Sequence, residues 1–164
     1  MSFSNRISQT LHDEHAATVA LMERLERLLA GRGRPNTADS AVSRLLSDLA
    51  TGVEADVQRH FDFEEHHLFT FLNSIGDEAI GAHLTSEHMV MRPLGARIAE
   101  MARAASSQGF DDANWGEFRR LAQELCERML AHVQKEEMAL VPLLEETMDT
   151  ETEARLYEGY VGNM

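Results

Sequence analysis

Two segments of this chain repeat one pattern, in which a histidine is followed four residues later by the first of two consecutive glutamates. The first segment contains His60 and Glu64, and the second contains His132 and Glu136. Residues four apart in an α-helix lie one turn apart on the same face, so an imidazole nitrogen and a carboxylate can approach one cation together. Two such pairs predict two helices that face a common metal site.

The helical phase predicts that both pairs point into the apolar core. At about 100° per residue, His60 and Glu64 share a stripe with Leu46, Leu49, Val53, Val57, Phe71 and Ile75. His132 and Glu136 share a second stripe with Phe118, Leu121, Leu125, Met129, Ala139 and Leu143. Buried carboxylates and imidazoles without partners are costly, so a cation bound between them is favoured over two pairs on a solvated surface.

The same argument predicts a link between metal and fold. Without a cation, two buried carboxylates would lie close together, and both burial and like charge raise a carboxylate pKa. Metal binding is therefore expected to release protons and to stabilise the folded chain.

Composition limits the ligands to histidine and carboxylate. The chain has eight histidines but one cysteine, so a thiolate zinc cluster is excluded, and Cys126 is expected to be a packing residue. The net charge of -13 repels phosphate groups, so nucleic acid is not an expected partner.

Length and hydropathy predict one domain over residues 1–164. Hydrophobic residues make up 43% of the chain and charged residues 26%, which is typical of a globular protein. No apolar run approaches the roughly 20 residues that span a bilayer, and the first residues lack the apolar segment of a signal peptide. We therefore expect a cytoplasmic protein with no membrane partner.

Apolar periodicity, glycine and proline predict four helices, at about residues 4–30, 39–73, 78–105 and 112–147. Thr37 or Asp39 is the expected cap of the second helix. Short connections between long helices predict an all-α protein, an up-down-up-down antiparallel four-helix bundle. Residues 148–164 form an acidic C-terminal tail in which no motif is apparent.

The first two helices contain three further histidines that are candidate ligands or neighbours of the site. His15 lies near the middle of the apolar face of helix one, whereas His12 lies toward the edge of that face and is the weaker candidate. In helix two, His67 falls on the core stripe one turn beyond Glu64. Its counterpart in the second repeat is Ala139, which favours a packing role or a place behind the ligands.

Helix three contains a less regular cluster. Glu87 is closest to the centre of its apolar stripe, and His83 and His88 flank it. Pro93 lies inside this helix and changes the phase across it. Periodicity alone therefore leaves His83 and His88 as alternatives.

The heights of these residues along the bundle agree. At about 1.5 Å per residue, His15 and His88 lie at similar distances from the starts of their helices. Glu64 and Glu136 lie at similar distances from the ends of theirs. In an antiparallel bundle all four therefore lie within roughly one turn of a common level.

Together these residues resemble the hemerythrin-like family, also called HHE cation-binding domains, over about residues 11–145. The resemblance is carried by Glu14-His15, by His60-Phe61 with Glu64-Glu65, by Ser86-Glu87-His88, and by His132 with Glu136-Glu137. It implies a four-helix bundle with two non-haem irons, bridged by an oxo or hydroxo group and by carboxylates. The implied terminal ligands are His15, His60, His88 and His132, and the implied bridging ligands are Glu64 and Glu136. Glu65 and Glu137 are then outer groups.

The chain departs from two members of that family. Hemerythrins proper carry two histidines four apart in helix three, whereas Leu84 stands four residues before His88 here, which disfavours an oxygen carrier. Related iron-sulfur-cluster repair proteins have an N-terminal segment with cysteines, which this sequence lacks.

The leading functional hypothesis is a non-haem di-iron protein that binds or reacts with a small oxygen or nitrogen species, namely O2, peroxide or NO. The alternative is an iron or oxygen sensor, or an iron-binding protein without catalysis. A purely structural bundle is a third hypothesis, and it predicts no bound metal. The sequence leaves open whether the protein is an enzyme, and leaves its oligomeric state unknown.

Overall fold

The computed structural model describes residues 3–162, in which every regular element is a helix. The helices are α1 (Arg6–Leu29), α2 (residues 40–74), α3 (Ala79–Gln108), α4 (residues 112–147) and α5 (Thr150–Gly162). The all-α prediction is confirmed, and the first four helices match the predicted ones to within three residues at each end. Within the same residues, no helix combines the length and apolar content needed to cross a membrane.

Two of the long helices change their winding along their length. In α2, the segments Ala55–His60 and Glu64–Leu68 are π-helical, and they separate the α-helical segments Ser40–Glu54, Phe61–Phe63 and Phe69–Ser74. In α4, the π-helical segment Glu136–Leu140 separates Asp112–Lys135 from Val141–Thr147. Single π turns inside α-helices are frequent at functional sites.

Polar side chains fix where the helices begin. Asn5 accepts a hydrogen bond from the Ser8 backbone at the start of α1. Asp39, one of the two predicted caps, accepts from two backbone N–H groups at the start of α2. Asp111 and Asn114 form a reciprocal capping box before α4. Gly109 ends α3 with a φ of 74°, a conformation that favours glycine.

Side-chain contacts show that neighbouring helices run in opposite directions. Between α1 and α2 the pairs are Glu14 with His60, Thr18 with Asp56 and Arg24 with Asp48, so residue numbers rise on one helix as they fall on the other. The same reversal holds between α2 and α3, through Glu65–His88 and Glu54–Arg103. It holds between α3 and α4, through Glu87–His132 and Arg97–Glu117. It also holds between the N-terminal part of the chain and α4, through Ser4–Glu145 and Met22–Cys126. Cys126 is buried and packs as expected.

The core has two apolar parts that are stacked along the bundle. One part contains Leu25, Leu49, Ile98, Phe118 and Leu125, among others. The other contains Ile7, Leu11, Leu68, Leu84 and Leu140, among others. Each of the four long helices passes from one part to the other at the level of its predicted ligand, so the polar residues form a layer between two hydrophobic ones.

The stripes predicted from sequence are wrong for the residues that follow the start of the π turns at Glu64 and Glu136. Phe71 and Leu143 are only half-buried, Ala139 is exposed, and Ile75 is 46% exposed. The residues that follow most of these positions are the buried ones: Leu72, Leu140 and Leu144. A π turn closes i→i+5 hydrogen bonds and so contains an additional residue, which delays the next inward-facing position by about one.

The tail that sequence left without a motif is the helix α5, and it packs against α1. Glu153 is 8% exposed and accepts hydrogen bonds from the Arg6 side chain at 2.9 and 3.2 Å. Leu156 and Tyr160 are buried with Ile7 of α1 in the second apolar part of the core.

Replacing Leu156 by alanine should therefore destabilise the metal-free protein by about 2–4 kcal/mol, because it leaves a cavity under α5. The matched control is Val161→Ala on the same helix, which is 42% exposed and should change stability by less than about 0.5 kcal/mol. Urea unfolding of both variants measures the difference. Equal losses for the two would show that α5 does not contribute to the core.

Candidate metal centre

The six predicted ligands come together in the polar layer of the bundle. His15 comes from α1, His60 and Glu64 from α2, His88 from α3, and His132 and Glu136 from α4. None of them is more than 6% exposed.

These residues form two overlapping groups, and Glu64 and Glu136 belong to both. The first group adds His15 and His60, and the second group adds His88 and His132. Within each group the ligand atoms all lie within 4.8 Å of one another. The arrangement can therefore hold two cations that share both carboxylates.

The Nε2 atoms of the four histidines face the shared carboxylates. His15 Nε2 lies 2.9 Å from Glu136 Oε2, and His132 Nε2 lies 2.5 Å from Glu136 Oε1. His60 Nε2 lies 3.3 Å from Glu64 Oε2 and His88 Nε2 lies 3.2 Å from Glu64 Oε1. The rings of His60 and His88 also differ in their packing, because only His88 is stacked on Phe61, with 3.9 Å between the ring centroids.

Each of the four histidines turns its other nitrogen, Nδ1, toward an outer carboxylate. The pairs are His15–Glu137 at 2.7 Å, His60–Glu14 at 3.0 Å, His88–Glu65 at 2.7 Å and His132–Glu87 at 2.8 Å. An ionised carboxylate only accepts hydrogen bonds, so each Nδ1 carries the proton and donates. In a neutral imidazole Nε2 then has its lone pair directed at the centre, the orientation that metal-binding histidines adopt.

The lone pairs of the ligand atoms in the centre would be better satisfied by a cation than by contacts with one another. Both Oε atoms of Glu64 and Oε1 of Glu136 are buried without a donor in hydrogen-bonding geometry. His88 Nε2 and His132 Nε2 lie 3.1 Å apart, so two lone pairs face each other once both Nδ1 atoms are protonated. Buried oxygens and nitrogens of this kind are destabilising unless a positive charge lies between them.

The metal-free centre attracts protons in place of a cation. Burial by itself lowers the pKa of His60, but the negative charge of Glu64 and the nearby carboxylates of Glu136 and Glu14 outweigh burial and hold the pKa well above 6.5. Burial likewise opposes protonation of His88, yet the nearby carboxylates of Glu136 and Glu64 raise its pKa to about 9.

The expectation of a raised carboxylate pKa is wrong for Glu136. Burial does raise it, but contacts with Glu64 and with His132, His15 and His60 outweigh burial, so the pKa of Glu136 lies well below its ordinary value. The sequence argument treated the second carboxylate only as a like charge, and it omitted the imidazoles that surround Glu136.

The remaining candidates lie outside this cluster. The His83 side chain is 58% exposed and lies beside Glu87 on the surface. His12 is also largely outside, with 42% of its side chain exposed, and contacts Glu137. His67 is half-buried against the ring of Phe63.

A second layer of side chains holds the outer carboxylates, and sequence reasoning missed most of it. Glu65 accepts from Arg92, Glu87 from Lys135, and Glu14 from the Tyr160 hydroxyl, while Glu137 contacts His12. Tyr160 comes from α5, which was expected to be a tail. The spacing of Glu153, Leu156 and Tyr160 along one helical face was the available signal for that helix.

The fold and the site together define the class of this protein. The family described as the hemerythrin HHE cation binding domain matches residues 6–144 of the 164 in the chain. The chain therefore belongs to the hemerythrin HHE cation-binding family. A search of curated proteins found no match.

The raised pKa of His88 predicts how stability depends on pH. In the metal-free protein the folded-state pKa of about 9 lies above 6.5, so protonation of His88 stabilises the fold fully below pH 6.5. That contribution, on the order of 2–3 kcal/mol, is lost as pH rises toward 9. Cations bind neutral imidazoles, so the stabilisation that metal adds should grow over the same interval. Thermal melts with chelator and with added metal measure both trends, and a metal-free protein that gains stability toward pH 9 would contradict the argument.

Proposed function

We propose that the chain is a non-haem di-iron protein that binds or reacts with a small oxygen or nitrogen species, namely O2, peroxide or NO. The observation that carries the proposal is the sharing of Glu64 and Glu136 between two groups that each contain two histidines. Two carboxylates between two cations reduce the repulsion of the cations and fix their separation. A single-metal site would not need two complete sets of imidazoles.

The donor set supports iron as the metal. Imidazole with carboxylate, and no thiolate, suits iron, and it also suits zinc and manganese. The two His-x-x-x-Glu pairs, with His15 and His88, would supply two nitrogen and two shared carboxylate ligands to each cation. Iron held by so few protein ligands would keep positions at which a small molecule can bind.

Bound iron would supply one-electron redox chemistry and Lewis acidity toward the small ligand. The chain's own residues would orient and protect it. Glu14, Glu65, Glu87 and Glu137 hold the four imidazoles in one tautomer, and Phe61 covers one face of His88. Because the centre lies between two apolar layers, the proposal favours a small ligand such as a diatomic molecule or peroxide over a large substrate.

A sensor or an iron-binding protein without catalysis is the second candidate, and the docking of α5 favours it. Tyr160 of α5 donates to Glu14, which in turn binds the Nδ1–H of His60. A change in metal or ligand binding at the first group can thereby alter the packing of the C-terminal helix α5. Repeated turnover of a substrate would favour the enzyme, whereas metal-dependent protease cleavage between α4 and α5 would favour the sensor.

The proposal includes a cytoplasmic location and excludes nucleic acid and membrane as partners. The net charge of -13 supports the first of these exclusions, because a strongly acidic protein repels a phosphate backbone.

The protein should bind about two irons per chain when it is loaded anaerobically, one for each group of four ligands. His88→Ala should reduce this content to about one, because it removes a ligand of the second group only. His83→Ala, on the same helix but exposed, is the matched control and should keep both. Metal analysis of the purified proteins tests this. Fewer than one metal per wild-type chain would refute the di-metal proposal, and zinc in place of iron would refute only the assignment of iron.

Anaerobic ferrous protein should change its visible spectrum on addition of O2, peroxide or NO. Glu136→Ala should abolish the change, because Glu136 is shared by both groups. The control Glu146→Ala alters an exposed glutamate of the same helix and should behave as wild type. Stopped-flow absorption measures the reaction. If iron-loaded wild type responds to none of the three molecules, the reactive centre is ruled out and iron binding alone remains.

A further inference from the structure

The two groups of ligands have the same donor atoms but different surroundings. Behind the second group, the carboxylate on His88 is Glu65, which accepts from Arg92 at 2.7 Å. The carboxylate on His132 is Glu87, which accepts from Lys135, the only lysine of the chain. Both outer carboxylates of the second group are therefore paired with side chains that carry a full positive charge.

Among residues 3–162, the outer carboxylates of the first group have no such partners. Glu14, behind His60, accepts from the hydroxyl of Tyr160. Glu137, behind His15, contacts the imidazole of His12 at 3.1 Å. Neither a phenol nor an imidazole is a permanent cation, so the negative charge of these two carboxylates is less fully compensated.

Other charged groups near the centre reinforce the difference. Asp56 is half-buried, accepts a hydrogen bond from Thr18, and interacts electrostatically with His60 and His15 of the first group. Arg59 lies over the Tyr160 ring, with 4.5 Å between its guanidinium carbon and the ring centroid, and so it faces the phenol and not the outer carboxylates.

Beside the second group, Asp62 also pairs with Arg92, but 53% of the Asp62 side chain is exposed, so water screens the charge of Asp62. The field at the first group is therefore the more negative of the two.

We propose that the two groups bind cations unequally and in a fixed order. The first group, with His15 and His60, binds the first cation and binds it more tightly. The second group binds the second cation more weakly, because Arg92 and Lys135 repel it and because their hydrogen bonds make Glu65 and Glu87 weaker acceptors for the imidazole N–H. The inference rests on the proposed function in one respect, that both groups are metal sites. It adds positioning roles for Lys135 and Arg92, which contact no ligand directly.

Zinc alone is a suitable probe, because it does not change oxidation state and accepts the same ligands. Metal-free full-length protein is titrated with Zn2+ by calorimetry, and the imidazole nitrogens are followed by NMR in the same samples. We expect two binding steps. At one equivalent the Nε2 signals of His15 and His60 should have shifted, while those of His88 and His132 should still be close to their metal-free positions.

Variants at Lys135 separate charge from structure. Its side chain is 45% exposed, so the substitution is not expected to unfold the bundle. Lys135→Gln keeps a donor for Glu87 but removes the charge, and should tighten the second step roughly fivefold while leaving the first unchanged. Lys135→Arg keeps the charge and should retain the wild-type values. Arg97→Gln is a control for net charge, because Arg97 pairs on the surface with Glu100 and Glu117, and neither step should change.

The possible failures are distinguishable. Binding of less than one zinc per chain would contradict the proposed di-metal centre itself. Two zinc ions that bind without order, or first at His88 and His132, would overturn the present inference and leave the centre in place. The same holds if Lys135→Gln and Arg97→Gln have equal effects on the second step. The NMR order in the wild-type protein tests the inference even if a variant fails to fold.

Discussion

The structure depends on the burial of two carboxylates among four imidazoles. Glu64 and Glu136 are both fully buried, in a layer with hydrophobic packing above and below it. Charges in such a place are tolerated only when opposite charges and hydrogen bonds compensate them. Without a cation, the neighbouring carboxylates raise the pKa of His60 and of His88, so protonated imidazoles would provide the compensation. A cation provides it more completely, because it accepts the lone pairs of both carboxylates and of the neutral imidazoles together.

The outer carboxylates link this centre to the rest of the bundle. Each of them lies on a different helix from the histidine that it binds, so the four long helices are connected through the hydrogen bonds of the candidate ligands. Lys135, Arg92 and Tyr160 continue these connections outward. The same contacts that orient the imidazoles therefore contribute to helix packing, and the loading of the centre and the stability of the fold are coupled. The different charges of these outer partners make two chemically similar groups unequal.

The π-helical segments explain how the two His-Glu pairs coexist with a continuous apolar face. Glu64 and Glu136 each begin such a segment, and His60 ends another. The additional residue in the turn allows the inward-facing carboxylate to be followed by buried residues such as Leu68 and Leu140. In a uniform α-helix these apolar positions would be set by the 3.6-residue period. The π turns thus allow the carboxylates to point into the site and the apolar residues that follow them to point into the core.

Much of the fold and of the candidate site was determined by the sequence itself. Helical periodicity, interrupted by glycine and proline, predicted the four long helices. The repeated His-x-x-x-Glu spacing identified four of the six residues that meet, because both patterns act over one or two turns of a helix. Tertiary structure decided what depends on neighbouring helices. It placed His88 in the cluster and His83 at the surface, and it lowered the pKa of Glu136 through contacts with Glu64 and with the surrounding imidazoles. It also folded the C-terminal stretch into α5, because Leu156 and Tyr160 have an apolar surface to cover only after α1 and α2 have packed.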